Sequence, residues 1–219
     1  MLAFTRDEER SVSVAYGVCV GSGKKFERYV LPWAALSVIY TRRHQASIAI
    51  AYNCMLDDAL DDGFDVLILQ HDDLEITDPD GEEKLVKALA DPSVALAGVA
   101  GGSVSGGLAW WNVDPVGRVR WDGGLLDFGK RAGEVEMLDG CLLAFGRWGI
   151  ENLRFTPRLG FHGYDGDICM RAAQAGRRIV AVDLDVHHHT RLGFKTEASH
   201  LDWLDADYEF RQRWGIGGA

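Results

Sequence analysis

The sequence predicts an α/β protein in which helices flank one open sheet. Apolar runs at residues 11–20, 64–69 and 94–100 have the length and composition of buried strands. Amphipathic segments at residues 47–60 and 82–90 lie between these runs and have the spacing of helices. Strands that alternate with helices are typical of a parallel sheet, so the first half of the chain is expected to form a βαβαβ unit.

The first strand is expected to deliver a loop, because residues 11–20 end in Gly21-Ser22-Gly23. Residues 24–35 then have helical spacing, which Pro32 would end or kink. Residues 37–40 follow as a short second strand. These elements lead into the clearest helix of the sequence.

That helix and the strand after it place acidic side chains at an edge of the sheet. Ser47 can cap the helix over residues 47–60. The strand over residues 64–69 then leads directly into the polar cluster Gln70-His71-Asp72-Asp73. Open α/β sheets bind ligands beyond the carboxyl ends of their strands, so this cluster is a candidate site.

The second half of the chain begins with a glycine- and tryptophan-rich region in which helices are not expected. The regular spacing of apolar residues then returns, and Gly176 is suited to end the helix predicted over residues 164–175. The predicted elements are strands over residues 118–121 and 134–145, a helix over 164–175, strands over 178–182 and 185–188, and a helix over 201–214.

Length and composition favour one domain without a membrane span. With 219 residues, of which 47% are hydrophobic, the chain can bury a substantial core. Its longest apolar runs fall far short of the ~20 residues that cross a bilayer. Residues 1–10 lack the pattern of a secretory signal, so we expect a cytoplasmic protein. Reduced packing thiols are expected at the four scattered cysteines, Cys19, Cys54, Cys141 and Cys169.

The net charge of -10 argues against a nucleic-acid partner, because an acidic protein repels a polyanion. The same charge permits a nucleotide when a divalent cation, held by acidic side chains, bridges the protein to a diphosphate.

Asp72 and Asp73 are candidates for holding such a cation. Adjacent carboxylates repel each other, and a cation relieves the repulsion. Mg²⁺ or Mn²⁺ bound by one or two carboxylates and by substrate phosphates meets this need. A solvated acidic turn is the alternative, and the position after a buried strand favours the metal site.

Asp165 and Asp167 open the predicted helix over residues 164–175, where free backbone N–H groups stabilise carboxylates. A helix needs only one capping side chain, so capping need not account for both carboxylates. The preceding Gly160-Phe161-His162-Gly163 has the composition of a flexible loop that leads into a cleft. On these residues alone, a catalytic base and a simple cap are both open interpretations of Asp165.

Three consecutive histidines follow the last predicted strand, so the side chain of His188 should point away from those of His187 and His189. The three therefore cannot bind one ion together. One of them can complete a metal site begun by Asp73, and solvated or packing histidines are the alternative.

Taken in order, several segments resemble the family-2-like group of inverting glycosyltransferases, which have the GT-A fold, and the resemblance covers most of the chain. No single segment would suffice, but the order and spacing of all of them are hard to obtain by chance. The segments are ASIAIAYN at 46–53, VLILQHDDLEI at 66–76, the strand at 96–102 with Trp110-Trp111, LDGCLLA at 138–144, GYDGDICMR at 163–171, and the strand into His188.

The sequence departs from the family pattern at two positions. His71 stands where the first acidic residue of the Asp-x-Asp motif is found in the family. Tyr164 replaces the Glu beside the presumed base. The first departure bears on the number of metal ligands.

The resemblance implies a GT-A-type, Rossmann-like mixed sheet flanked by helices in a single domain. Residues 1–105 would form the nucleotide-sugar-binding half and residues 106–219 the acceptor-binding and catalytic half. The implied donor is a UDP- or GDP-sugar, the acceptor a glycan or another hydroxyl compound, and the cofactor Mn²⁺ or Mg²⁺. The residues implied in nucleotide binding are Cys19, Val20, Gly21, Ser47, Asn53, Asp72 and Asp73.

The resemblance also implies the chemical roles. Asp73 and His188 would hold the metal, and Asp165 would take the proton of the acceptor hydroxyl as its oxygen attacks the anomeric carbon with inversion. Asp72 would contact the ribose or a metal-bound water. The residues implied near the acceptor are Trp110, Trp111, Asp139 and Asp167, and packing is an equal alternative for either tryptophan.

Two other functions stay open on the sequence. A sugar-phosphate nucleotidyltransferase shares the sheet and the metal requirement, and Gly21-Ser22-Gly23-Lys24-Lys25 is a weak form of its basic, glycine-rich loop. A non-catalytic nucleotide- or carbohydrate-binding module would keep the fold and lose the metal through His71.

Overall fold

Thirteen strands in two sheets and seven α-helices make up the part of the chain that the structure describes. The strands are β1 (Val14–Cys19), β2 (Val38–Arg42), β3 (Val66–His71), β4 (Leu74–Ile76), β5 (Val94–Gly98), β6 (Ala100–Gly102), β7 (Val116–Trp121), β8 (Gly124–Asp127), β9 (Gly133–Glu134), β10 (Met137–Leu138), β11 (Leu142–Gly146), β12 (Arg178–Ala181) and β13 (Val186–His188).

The helices alternate with these strands. They are α1 (Gly23–Lys25), α2 (Leu31–Ala34), α3 (Ile48–Asp61), α4 (Gly81–Leu89), α5 (Arg147–Asn152), α6 (Tyr164–Gln174) and α7 (Glu197–Trp214). A π-helical turn over Phe26–Val30 joins α1 to α2, and single 3₁₀ turns lie at Val104–Gly106 and Trp110–Asn112.

This computed structural model describes residues 11–34, 36–191, 193 and 196–217. The expectation that residues 1–10 carry no secretory signal lies outside the described residues. The same holds for Ala35, the last residue of the helical stretch predicted over residues 24–35.

The main sheet is mixed, with the strand order β2-β1-β3-β11-β5-β12-β9. β1 pairs in parallel with β2 and β3, and β5 pairs in parallel with β12. β11 runs antiparallel between β3 and β5. The purely parallel sheet predicted from the alternation is therefore wrong at its centre, because a strand from the second half of the chain separates β3 from β5. The mixed sheet flanked by helices in a single domain is confirmed.

Helices cover both faces of this sheet, as neighbouring residues of β1 show. The Tyr16 hydroxyl donates to Glu82 of α4 at 2.6 Å. Gly17, on the opposite face, lies against α3, and a Cβ at this position would be 2.8 Å from the Met55 sulfur. Ser47 caps α3 as predicted, because its side chain accepts the Ile50 N–H at 3.2 Å.

A second, smaller sheet carries the elements that surround the site. Its order is β10-β6-β7-β13-β4, and β8 pairs with β7. The single strand predicted over residues 134–145 is wrong, because this segment forms β9, β10 and β11 in two different sheets. The break between β10 and β11 contains Asp139 and Gly140, which lie beside the first turn of α6.

The last helix starts four residues earlier than predicted. Thr196 and Ser199 form a capping box, in which each side chain accepts a backbone N–H from the other residue. This cap extends α7 back to Glu197. All four cysteines are free thiols, as expected. Over the described residues, no helix combines the length and apolar composition needed to cross a membrane.

Candidate functional site

The carboxyl ends of β1 and β3 bring the glycine-containing loop and the acidic pair together. Cys19 of β1 is in register with His71 of β3, so the loops that follow these two strands are neighbours. The Ser22 N–H donates to Asp72 Oδ2 at 2.5 Å. This hydrogen bond fixes the loop after β1 directly beside the acidic pair. Both lie beyond the carboxyl ends of parallel strands, where open α/β sheets bind ligands.

Asp73 is held between two basic side chains. Lys25 Nζ lies 2.7 Å from Asp73 Oδ2, and His188 Nε2 lies 3.1 Å from Asp73 Oδ1. Burial alone would raise the pKa of Asp73, but the hydrogen bonds from His188 and Lys25 outweigh burial and leave this pKa below its usual value. Asp73 is therefore ionised and is stabilised by positively charged groups nearby.

His71, Asp73 and His188 offer three ligand atoms that lie within 4.8 Å of one another. The site fits a divalent cation, because two imidazoles and a carboxylate are common ligands of such ions. Burial and the nearby His188 lower the pKa of His71 to about 4, which keeps its imidazole neutral. The alternation expected of the three histidines is confirmed, since His188 faces Asp73 whereas His189 faces Glu75.

Asp165 lies in the first turn of α6 and faces the break between β10 and β11. Its Oδ2 accepts the Gly140 N–H at 3.0 Å, and its Oδ1 accepts the Gly166 N–H at 2.9 Å. Burial, followed by the negative charge of Asp139, raises the pKa of Asp165 to about 6. This carboxylate is ionised at neutral pH and basic enough to accept a proton.

His71 connects the two acidic regions. Its Nε2 lies 2.9 Å from the hydroxyl of Tyr164, the residue before Asp165. Its ring centroid lies 5.5 Å from that of His188. The Tyr164 hydroxyl also lies 3.0 Å from the Gly140 carbonyl oxygen. The candidate metal ligands and Asp165 therefore converge on one region of the molecule.

An aromatic pocket opens beside Asp165. Trp110, Trp111 and Asp139, which the family resemblance placed near an acceptor, all line this pocket. Trp110 is buried and Trp111 is 44% exposed, so only the second presents a large surface to solvent. Phe161 and Trp203 complete the aromatic lining, and Phe161 is 62% exposed.

Three residues predicted for the site have other contacts. Asp167 is fully buried and lies within 3.2 Å of donors on Thr156, Arg171, Arg213 and Trp214, and it does not line the aromatic pocket. Asn53 makes two hydrogen bonds to the backbone of Phe155. Ser47 caps α3. The structure does not bring these three together with Asp73 and Asp165.

The remaining predicted nucleotide-binding residues surround the acidic pair. Cys19 ends β1, and burial, followed by the negative charge of Asp72, raises the pKa of its thiol. Val20 is buried, whereas Gly21 is exposed, and a Cβ at Gly21 would lie 3.6 Å from Asp72 Oδ2. The exposed backbone at Gly21 is thus the part of this loop that a ligand can contact.

Sequence reasoning missed four side chains at this site. Lys25 stood in the glycine-containing loop, but its contact with Asp73 depends on the register of β1 and β3. Tyr164 was noted only as a departure from the family pattern. Phe161 was noted only as part of the loop before α6. Trp203 carried no signal beyond its place in a helix, because its position follows from how α7 packs.

The fold defined by these elements is the GT-A fold of nucleotide-sugar transferases. The chain is similar to the mannosyltransferase PcManGT from Pyrobaculum calidifontis in complex with GDP-Man and Mn²⁺, with a TM-score of 0.63 and 16% identity over 91% of this chain and 64% of that one. It is similar to GalNAc-T7 with UDP, GalNAc and Mn²⁺, with a TM-score of 0.61 and 12% identity over 94% and 50% of the two chains. At such identities the likeness establishes the fold alone.

Two proteins are similar in sequence. The streptomycin biosynthesis protein StrF of Streptomyces griseus is 38% identical over 188 residues, which are 80% of this chain and 66% of StrF. An open reading frame of the ATP synthase subunits region, ORF 6, of Fuscovulum blasticum is 31% identical over 137 residues, 57% of this chain and 51% of that protein. The chain thus spans between half and two thirds of each relative. No model of a known protein family matches it.

Proposed function

We propose that this protein transfers a sugar from a nucleotide diphosphate sugar to an acceptor hydroxyl, with a divalent cation at the diphosphate and inversion at the anomeric carbon. One observation carries the proposal: a candidate cation cluster and a carboxylate with a pKa of about 6 converge through His71. The UDP or GDP-Man and Mn²⁺ of the structural neighbours support this choice of donor and ion.

On the donor side, the backbone of the loop after β1 and the Lys25 ammonium group would contact the nucleotide diphosphate. Asp72 already binds this loop through the Ser22 N–H, so the loop is held in place before the donor arrives. A bound divalent cation would add positive charge that stabilises the departing diphosphate. His71, Asp73 and His188 would hold that cation.

On the acceptor side, Asp165 would act as the general base. It would take the proton of the acceptor hydroxyl while that oxygen forms a bond to the anomeric carbon and the bond from carbon to the diphosphate oxygen breaks. One such displacement inverts the anomeric carbon. The Gly140 and Gly166 N–H groups hold the two carboxylate oxygens and so fix the direction of the base.

The aromatic pocket would bind the acceptor. Trp111 and Phe161 present exposed ring surface there, and aromatic rings pack against the apolar faces of sugars. Asp139 lines the same pocket and offers a carboxylate to acceptor hydroxyls or amines. StrF is named for streptomycin biosynthesis, which supports a biosynthetic role for the transfer proposed here.

The first test is the Asp165→Asn variant in an assay of nucleoside diphosphate release from a panel of UDP- and GDP-sugars. The amide keeps the shape of the carboxylate but cannot take the proton, so transfer should fall by about 10²–10⁴-fold. Asp205→Asn, an exposed acid on α7, is the matched control and should keep the wild-type rate.

Transfer at the wild-type rate by Asp165→Asn would overturn the assignment of the base. A parallel assay that supplies nucleoside triphosphates and sugar phosphates tests the reaction class. A sugar transferase releases a nucleoside diphosphate, whereas a nucleotidyltransferase that makes activated sugars releases pyrophosphate.

A further inference from the structure

A second group of histidine and carboxylate side chains lies on the other face of β13. His187 and His189 project from this face, opposite to His188. Glu75 of the neighbouring strand β4 is in register with His187. Asp122 reaches the same place from the turn between β7 and β8. Three separate segments of the chain therefore supply potential metal ligands to one point.

The distances among these side chains are short. Asp122 Oδ1 lies 3.3 Å from His187 Nε2 and 3.6 Å from His189 Nδ1. The two imidazole rings are stacked with centroids 3.8 Å apart and an angle of 29° between their planes. Both rings thus turn a nitrogen towards one carboxylate oxygen.

These separations match those between neighbouring ligands of a tetrahedral zinc ion. Zinc binds imidazole nitrogen and carboxylate oxygen at about 2.0–2.2 Å, so adjacent ligand atoms are about 3.3–3.6 Å apart in a tetrahedron. A direct hydrogen bond would instead bring the two atoms to about 2.9 Å. Asp122 is farther from either nitrogen than in a good hydrogen bond, and an ion shared by all three groups would require the stacked rings to turn so that both nitrogens point at it.

Two further observations point to a ligand at this position. Beyond the long contact with Asp122 at 3.3 Å, the shielded His187 Nε2 has no hydrogen-bond partner among the described residues, although buried polar atoms are normally paired. Glu75 Oε2 lies 2.7 Å from His189 Nε2, the nitrogen that faces away from Asp122. A carboxylate on the outer nitrogen is the usual arrangement that orients a metal-binding histidine.

We propose that His187, His189 and Asp122 bind a Zn²⁺ ion, that Glu75 orients His189, and that this site is distinct from the His71–Asp73–His188 cluster. The ion would join β13 to the β7–β8 turn and so fix the strand that carries His188. Tyr29 stacks on His189 with ring centroids 3.6 Å apart and so helps to fix the orientation of that imidazole. The proposal does not depend on sugar transfer.

The test uses the full chain with His71→Gln and Asp73→Asn, which disables the other cluster. This protein should still bind one Zn²⁺ per chain, measured by equilibrium dialysis and elemental analysis. Adding His187→Gln and His189→Gln should remove that ion. Glu75→Gln should weaken binding by about 10–100-fold, because it removes the group that orients His189. Asp122→Asn changes a half-exposed carboxylate and should lose the ion without loss of fold, checked by circular dichroism.

A thermal unfolding series gives a second readout. Zn²⁺ should raise the melting temperature of the His71→Gln/Asp73→Asn protein but not that of the same protein with Asp122→Asn. Absence of Zn²⁺ binding in the former, or equal binding by the folded Asp122→Asn protein, would overturn the proposal. The group would then be a stacked pair of histidines between two carboxylates.

Discussion

The chemistry of Asp165 is set by what surrounds a single carboxyl group. Burial disfavours its charged form, and the like charge of Asp139 adds to that effect, so its pKa lies about two pH units above the ordinary value of an aspartate. The Gly140 and Gly166 N–H groups act in the opposite direction, because they stabilise the anion. The result is a base that is ionised at neutral pH and a stronger proton acceptor than an exposed aspartate.

The pH dependence of transfer should report this environment. The rate at low substrate should rise with pH up to about 6 and level off above it, because only the ionised Asp165 accepts a proton. Asp139→Asn removes the neighbouring negative charge and should move the rise to lower pH, while its amide can still accept the Cys141 N–H. Steady-state rates between pH 4.5 and 8.5 measure both curves. An unchanged midpoint in Asp139→Asn would show that this charge does not act on the base.

The same shift predicts a cost in stability. Because the pKa of Asp165 is higher in the folded than in the unfolded chain, the folded state loses stability as pH rises from about 4 through about 6. Asp165→Asn lacks the charge and should be more stable than the wild type at pH 7.5 by about 1–3 kcal/mol, with little difference near pH 4. Urea unfolding at the two pH values measures this, and Asp205→Asn should be neutral at both. Equal stability of Asp165→Asn and wild type at pH 7.5 would contradict the raised pKa.

At the scale of elements, the first turn of α6 has two acidic residues with different surroundings. Residues two apart on an α-helix point about 200° from each other. Asp165 therefore faces Gly140, whereas Asp167 faces Thr156 and α7. The sequence shows two aspartates at the start of one helix. The contacts that distinguish them come from the packing of α7, which is remote in sequence. The place near the acceptor that the resemblance implied for Asp167 does not take these contacts into account.

Asp167 should therefore matter for stability. Its buried carboxylate meets Thr156, Arg171 and the last turn of α7, so Asp167→Ala should lower the free energy of unfolding by about 3–5 kcal/mol. Urea unfolding measures the loss, and Arg147→Ala, which breaks an exposed ion pair with Glu151, is a control expected to cost less than about 1 kcal/mol. A raised KM with unchanged stability would instead support the acceptor role first expected of Asp167.

At the scale of the whole molecule, local patterns predicted the buried strands well and their partners less well. The apolar run at residues 64–69 and the cap of α3 are local features; the cap is confirmed, and the run forms β3 two residues later than predicted, with Gln70 and His71 inside the strand. The position of β11 between β3 and β5 is a pairing between distant parts of the chain, which propensity and periodicity do not contain. The contacts of Lys25 and of His71 depend on such pairings as well.

The overall charge leads to a last prediction, on nucleotide binding. A chain of net charge -10 repels a nucleoside diphosphate, and the basic side chains at the loop after β1, which include Lys25 and Arg43, offset only part of that repulsion. UDP or GDP should therefore raise the melting temperature only together with Mn²⁺ or Mg²⁺, by an amount that corresponds to about 2.7 kcal/mol at a ligand concentration of 100 times Kd. EDTA should abolish the shift. Asp73→Asn should abolish it too, whereas Trp111→Ala, in the aromatic pocket proposed to bind the acceptor, should keep it. A shift of the same size in EDTA would show that the nucleotide is bound without a cation at Asp73.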